Sequence, residues 1–252
     1  MTKCVVAHNG SDNPDRLAQS WRSNATRWSK AVREGTIASR KAVTDGAVVS
    51  AVLRHQPSSV LDLGCGEGWL CRALAPYVPR CVGIDASPEL IEMAQLVGGA
   101  DYIELSYSAL IANPIGAGTG FDIVVANFSL LDECTEELVV ALGQTARTGG
   151  RLVVQTVHPW KIGGEYRTGW RIERFEALSS EEWTPMPWFF RTFENWISVF
   201  GEMWRLERIE EPCMADHSFP ASLIMTFQKS RRAPGDDSTN QLTVRKIDRN
   251  VP

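Results

Sequence analysis

Apolar positions recur along this chain with two different periods. From Asn13 onward the spacing is helical, with Leu17, Trp21 and Trp28 four and seven residues apart. Asn13-Pro14-Asp15 opens that segment with a capping side chain, a proline at the first helical position and an acid in the first turn, and Gly35 closes it. A second helix is predicted from about Ala38 to His55, with Val48, Val49 and Val52 among its apolar positions; Gln56-Pro57-Ser58 ends it. The texture then changes to short β-branched runs alternating with helical stretches. Strands are predicted at Val60–Leu63, Cys81–Ile84, Tyr102–Leu105, Phe121–Ala126 and Arg151–Val157, the fourth so apolar that it reads as buried on both faces. Helices follow the first strand to about Ala75, run from Pro88 to Val97, and run from Glu133 to Ala146. Trp204–Ile209 and Ser222–Gln228 complete the pattern as a pair suited to an antiparallel edge. The alternation predicts an α/β fold, a parallel sheet with helices on both faces.

Composition narrows the class. The 252 residues include 26 Lys+Arg, 30 Asp+Glu and 44% hydrophobic residues, enough for a substantial core and unlike a disordered chain. No apolar run approaches the length of a membrane span, so no membrane partner is expected. Met1 to Gly10 lacks the long apolar region of a secretory signal. The six cysteines are scattered with no C-x-x-C pair, the usage of reduced thiols in a cytoplasmic protein. The tail from Lys229 holds six basic and three acidic residues; before it stand 20 basic and 27 acidic ones, without a basic stripe to meet phosphate. Nucleic acid is not an expected partner.

The richest segment in chemistry is Val60-Leu61-Asp62-Leu63-Gly64-Cys65-Gly66-Glu67-Gly68-Trp69, a buried strand running into alternate glycines and then a helix. Such a turn at the carboxyl end of a parallel strand lets a ligand lie against the backbone, as nucleotides do in doubly wound sheets. The dinucleotide fingerprint requires G-x-G-x-x-G, but Trp69 stands at its last glycine. Asp62, just before the turn, would repel a pyrophosphate and welcome a cationic amino group. Asp85, at the end of the next strand, suits a pair of ribose hydroxyls, a device that many nucleotide sites share.

With these residues on the page, the chain resembles the class I S-adenosylmethionine-dependent methyltransferases. The matching stretches are V-L-D-L-G-C-G-E-G-W-L at 60–70, V-G-I-D-A-S-P-E-L at 82–90, F-D-I-V-V-A-N-F-S-L-L at 121–131 and G-G-R-L-V-V-Q-T at 149–156, in order over roughly residues 58–160. The resemblance implies a Rossmann-like, seven-stranded, mostly parallel sheet and S-adenosyl-L-methionine as cofactor. It places Asp62 near the methionine amino group, with Gly64, Cys65 and Gly66 lining the turn. Asp85 would hold the ribose, and Ala86 would lie beside the adenine. Where the family often carries an acid after its third strand, this chain has Ser106-Tyr107, whose hydroxyl and backbone would meet the ring instead. Asn127, past the fourth strand, would lie beside the methionine moiety.

The flanks are where an acceptor would be chosen. Residues 1–56 are expected to form an N-terminal helical cap, 57–229 the cofactor-binding domain, and 230–252 a polar, poorly ordered tail. Within the cap, Trp28 is a candidate cofactor contact and Arg40 a candidate partner for its carboxylate; their bland readings are a core-facing aromatic and a solvated arginine. Residues 157–200 hold 11 of the 22 aromatic side chains, an insertion expected either to act as a substrate lid or to pack as a structural excursion. Trp160, Trp170 and Trp188 are its candidate substrate contacts. His158, just past the fifth strand, is the candidate general base, against the reading of a loop histidine bonded to backbone. The sequence therefore predicts in-line methyl transfer to a small, aromatic or apolar organic acceptor. Two alternatives are a cofactor-binding protein without turnover and, disfavoured by Asp62 and Trp69, a nicotinamide oxidoreductase. Nothing in the sequence sets the oligomeric state.

Overall fold

The structure is a computed structural model, described over residues 5–6, 13–133, 136–161, 165–176, 178, 183–201, 203–215 and 219–230. In chain order its first elements are β1 (Val5–Val6), α1 (Asn13–Glu34), a π-helical turn at Arg40–Thr44 that leads into α2 (Asp45–Leu53), β2 (Ser59–Leu63), α3 (Trp69–Leu74), β3 (Arg80–Asp85), α4 (Pro88–Val97), β4 (Asp101–Glu104) and α5 (Tyr107–Ala112). There follow β5 (Phe121–Asn127), α6 (Glu136–Thr145), β6 (Ala146–Thr156), β7 (Gly169–Glu173), β8 (Met186–Phe190), α7 (Phe193–Phe200), β9 (Trp204–Glu210) and β10 (Leu223–Lys229). The tail expected to be poorly ordered lies, after Ser230, outside the described residues.

All seven strands expected from the pattern join one sheet, in the order β4-β3-β2-β5-β6-β10-β9. The five strands from β4 to β6 are parallel; β10 runs antiparallel to β6 and to β9, so the final pair forms the expected edge. Strand alternation divides the core between two faces. Val60, Ile123, Val125, Val153 and Ile224 meet α2, α3 and α4 on one side. Leu61, Leu63, Val124, Val154 and Met225 meet α6 and α7 on the other. The order of the strands reverses between β2 and β5, and at such a switch point the crossovers diverge and open a crevice above the carboxyl ends.

The additions pack in different places. Of the two leading helices, α2 buries Val48, Ala51 and Val52 against the sheet, whereas α1 packs on β8. The 157–200 insertion also divides. Its last helix belongs to the main core, with Trp196 and Phe200 at 3% and 1% exposure, while β7 and β8 join β1 in a separate antiparallel sheet. The periodicity of α1 concealed that its buried face is largely small and polar. Asn24 exchanges two hydrogen bonds with the backbone of Thr184 (2.9 and 3.1 Å), and the Ser20 hydroxyl donates to the same carbonyl, docking α1 on the chain before β8.

Candidate active site

Three segments build the rim of the crevice. The first is the glycine turn after β2, where the Gly64 and Cys65 amides both donate to the Ile84 carbonyl (2.8 and 2.9 Å), fastening the turn to β3. Gly64 has φ +70°, and a Cβ there would lie 2.5 Å from that of Ser129 and 2.9 Å from the Tyr107 hydroxyl, so only glycine fits. At Gly66, φ +57°, a Cβ would meet nothing within 4 Å: this stretch of backbone faces open space. The second segment is the end of β3. Asp85 accepts the Gly66 amide on one oxygen and the Ser87 amide on the other, each at 2.9 Å, which leaves each oxygen a further lone pair. Burial raises its pKa, against the backbone bonds of Ser87, Gly66 and Ala86 that lower it. Ala86, beside it, is exposed.

The third segment follows β5. Phe128 is a non-glycine residue at φ +54°, in the left-handed region that costs roughly 1–2 kcal/mol. Its amide is held by the Gln155 carbonyl at 2.8 Å, and the Ser129 hydroxyl donates to Leu63 O, so the chain is forced across the end of β2. The Tyr107 hydroxyl donates to Ser129 O at 3.1 Å and completes that bridge. Ser106 caps α5 through the Ala109 amide and also bonds the Ser108 hydroxyl, so its side chain is engaged locally.

Between these segments lie the polar groups that the sheet buries. Asp62 is 2% exposed and points with Val60 toward α3, where the Cys71 thiol donates to it at 3.6 Å. Desolvation pushes its pKa up to about 7, against the Cys71 bond that lowers it, and the nearby Asp85 charge raises it further. The Oδ1 of Asn127 is buried without a hydrogen-bond partner. Arg40, on the π-helical turn, stacks over the Trp69 ring at 4.8 Å and donates to Asp45 at 3.0 Å, yet its buried Nη2 has no partner. The glycine turn, Asp62, Asp85 and Asn127 thus lie together at the strand ends, and Arg40 approaches them through Trp69.

Other candidates stand elsewhere. Trp28 packs edge-to-face on Trp21, with centroids 5.4 Å apart, in the cluster that joins α1 to β8. Trp160 is 80% exposed. Trp170 donates its indole N–H to Glu133 at 3.1 Å and packs on Phe189. Trp188 is buried in the α1–β8 cluster with Leu17, Leu131, Phe175 and Phe190, and its indole N–H has no partner. The insertion is therefore a packed body, fastened to the loop after β5 by the Phe189 amide on Leu131 O (2.8 Å) and by Arg191 on the Asp132 and Glu133 carbonyls.

His158, the candidate general base, is engaged at both ring nitrogens. The ring is 5% exposed; its Nδ1 accepts the Trp160 amide at 3.2 Å, and its Nε2 lies 2.8 Å from Glu211. A backbone amide can only donate, so Nδ1 carries the lone pair, and Nε2–H donates to the carboxylate. The basic lone pair is spent on the loop, and His158 ties the end of β6 to the end of β9.

Sequence reasoning missed two buried residues here. Glu67, inside the glycine turn, is 2% exposed and pairs with Arg72 and with Arg33 of α1 (3.6 Å). Gln155, 1% exposed, ends the apolar run of β6 beside Asn127. The available signal was the same for both: a long polar side chain in a stretch that is otherwise glycine or aliphatic.

Comparison with known proteins supplies the family. A family model described as a methyltransferase domain matches residues 40–200. The ubiquinone biosynthesis O-methyltransferase of Mesorhizobium japonicum is 34% identical over 121 residues, covering 44% of this chain and 48% of that one. An uncharacterised methyltransferase of Schizosaccharomyces pombe is 33% identical over 161 residues, 62% of each chain. The chain thus spans between about half and three fifths of the length of these relatives. Among solved structures, a putative S-adenosylmethionine-dependent methyltransferase of Listeria monocytogenes aligns with a TM-score of 0.58 at 18% identity, over 73% of this chain and 99% of the other. A TehB-like enzyme of Corynebacterium glutamicum aligns with a TM-score of 0.55 at 20% identity, over 84% and 99%; at such identities these two speak for the fold. With a family model across more than half of its length and the glycine turn, Asp62 and Asp85 gathered at the switch point, the chain belongs to the class I S-adenosylmethionine-dependent methyltransferases.

Proposed function

We propose that this chain binds S-adenosylmethionine in the crevice between β2 and β5 and methylates a small organic acceptor that approaches from the β6 side. The observation that carries the reading is the pair Asp62 and Asn127: a buried carboxylate and an unpartnered buried carbonyl oxygen, both acceptors, at the one point where the strand order reverses. A cationic amino group is what such a pair fits, and a phosphate is what it excludes. The open backbone at Gly66 and the spare lone pairs of Asp85 suit a ribose edge, and the unpaired Nη2 of Arg40 suits a carboxylate. When bound, the cofactor supplies an activated methyl group on a sulfonium.

The residues of the chain then act by positioning. The Phe128–Ser129 crossover fixes the floor, and Arg40 with Trp69 closes the side. Alignment of this kind can contribute roughly 7–11 kcal/mol to a bimolecular reaction. With His158 committed to the loop, a hydroxyl acceptor delivers its proton to solvent. The name of the Mesorhizobium relative supports a small-molecule hydroxyl as acceptor. The unpaired cysteines among the described residues, Cys65, Cys71, Cys81 and Cys213, support a reducing, cytoplasmic setting.

The test is incubation with methyl-labelled S-adenosylmethionine and a panel of phenols, quinols, amines and carboxylates. Label in an organic product supports the reading. One observation favours the alternative of binding without turnover: Phe175, Trp183, Trp188 and Phe190 of the insertion pack in one cluster with Leu17 and Leu131. Cofactor binding with no labelled product anywhere in the panel would decide for it.

A further inference from the structure

Along the carboxyl edge of the sheet, one face carries a row of polar side chains. Asp62 pairs in register with Val125, Asn127 stands two residues beyond on the same face, and Asn127 pairs with Gln155. Gln155 pairs in turn with Ile224, two residues after Ser222. All of these side chains lie on the face that α2 and α3 cover, and Gln155 reaches the π-helical turn before α2. If the methyl donor lies over β2 and β5, the row continues one strand farther, about 5 Å on, to Gln155.

The Gln155 amide is oriented by its neighbours. Its nitrogen donates to the Thr44 carbonyl at 3.1 Å and to the Ser222 hydroxyl at 2.9 Å. A carbonyl can only accept, which fixes the nitrogen on that side and turns the oxygen away from it. That oxygen is buried and has no donor. The Thr44 hydroxyl, in a residue 2% exposed, has no partner either. Leaving such groups unpaired costs about 1–3 kcal/mol each, and both cluster beside the proposed transfer site. The turn that bears Thr44 also bears Arg40, the other residue with an unpaired polar atom on that segment. Five residues of π-helix are uncommon, and such turns are frequent at functional sites.

We propose that Gln155 and Thr44 form the acceptor-recognition site, and that the acceptor is a neutral compound whose reacting hydroxyl or amine donates its hydrogen bond to the Gln155 oxygen. The inference rests on the methyltransferase reading and sharpens its substrate class. The available atoms are carbonyl oxygens and the Thr44 hydroxyl, so a carboxylate acceptor finds a single donor there and faces the Asp62 charge beside it. A group held by its own N–H or O–H keeps a lone pair free to face the methyl group. Ser222 holds the amide from behind and touches no acceptor.

The experiment measures binding of catechol, aniline and benzoate by calorimetry to protein saturated with S-adenosylhomocysteine. Catechol or aniline is expected to bind and benzoate is not. Gln155→Met is expected to weaken that binding by about tenfold or more while leaving S-adenosylhomocysteine affinity within about twofold. Thr44→Val, which preserves shape, reads the same site should Gln155→Met fail to fold. In turnover, the Gln155→Met effect appears in KM for the acceptor and not in KM for the donor. The proposal is overturned if benzoate binds as well as catechol, if neither donor probe binds, or if the folded variants bind the probes like the wild type. Failure of S-adenosylhomocysteine to bind the wild type would instead sink the methyltransferase reading beneath it.

Discussion

Asp62 is the residue whose burial has the most direct consequence. Its carboxyl titrates near 3.8 in an unfolded chain and at about 7 in the folded protein without ligand. Between those values the folded state holds the proton that the unfolded state has lost. Its contribution to stability therefore falls as pH rises from about 4 to about 7 and is level above that. Asp62→Asn removes this slope, so its melting temperature relative to the wild type is expected to be higher at pH 7.5 than at pH 5. An ammonium docked on Asp62 favours the carboxylate, so S-adenosylhomocysteine should raise the wild-type Tm more at pH 7.5 than at pH 5, and the variant should lose most of that difference. Equal increments in the two proteins would remove Asp62 from the amino group. Gly64 gives a purely structural expectation. Gly64→Ala must adopt φ +70° and meet Ser129 at 2.5 Å, and is expected to lower stability by about 3 kcal/mol in denaturant titrations. His158→Ala, by contrast, is expected to leave label transfer per folded molecule within about twofold, because Nδ1 already accepts the Trp160 amide and Nε2 already bonds Glu211. A hundredfold loss of rate with the fold intact would restore it as a base.

At the scale of elements, the parallel strands were legible because β2, β5 and β6 are buried on both faces and read as aliphatic runs between turns. The insertion was legible only as an aromatic surplus. Neither β7 nor β8 shows clean alternation, because Trp170, Arg171, Trp188 and Phe190 are all buried in one small body. The π-helical turn was invisible for another reason: Arg40–Thr44 has no residue that helical periodicity would flag, and the widening is set by tertiary contacts such as Thr44 with Gln155. For His158, the sequence places a histidine at the right edge but says nothing of the Trp160 amide that its Nδ1 accepts. The cap and the sheet should also separate energetically. Phe190, 2% exposed, lies in the α1–β8 cluster, so Phe190→Ala is expected to cost about 3–5 kcal/mol locally. Hydrogen exchange should then quicken in α1, β7 and β8 and stay slow in β2, β5 and β6. Uniform acceleration would show that the insertion and the sheet unfold as one.

Across the whole molecule, the sheet provides a row of strand ends, and the additions fasten to that row. The insertion is tied to the loop after β5, α1 reaches the glycine turn through Arg33 and Glu67, and the turn before α2 lies over Gln155. No described helix is long and apolar enough to cross a membrane, and no group of three or more metal-ligating side chains occurs among the described residues. The direct measurement is a calorimetric titration of S-adenosylhomocysteine into the wild type and into Asp85→Ala, with circular dichroism to verify the fold. One site per chain in the wild type, weakened about 10- to 100-fold in the variant, is the expected result for a carboxylate that accepts two ribose hydroxyls. No binding to the wild type, or equal affinity in a folded Asp85→Ala, would contradict a cofactor seated between β2 and β5.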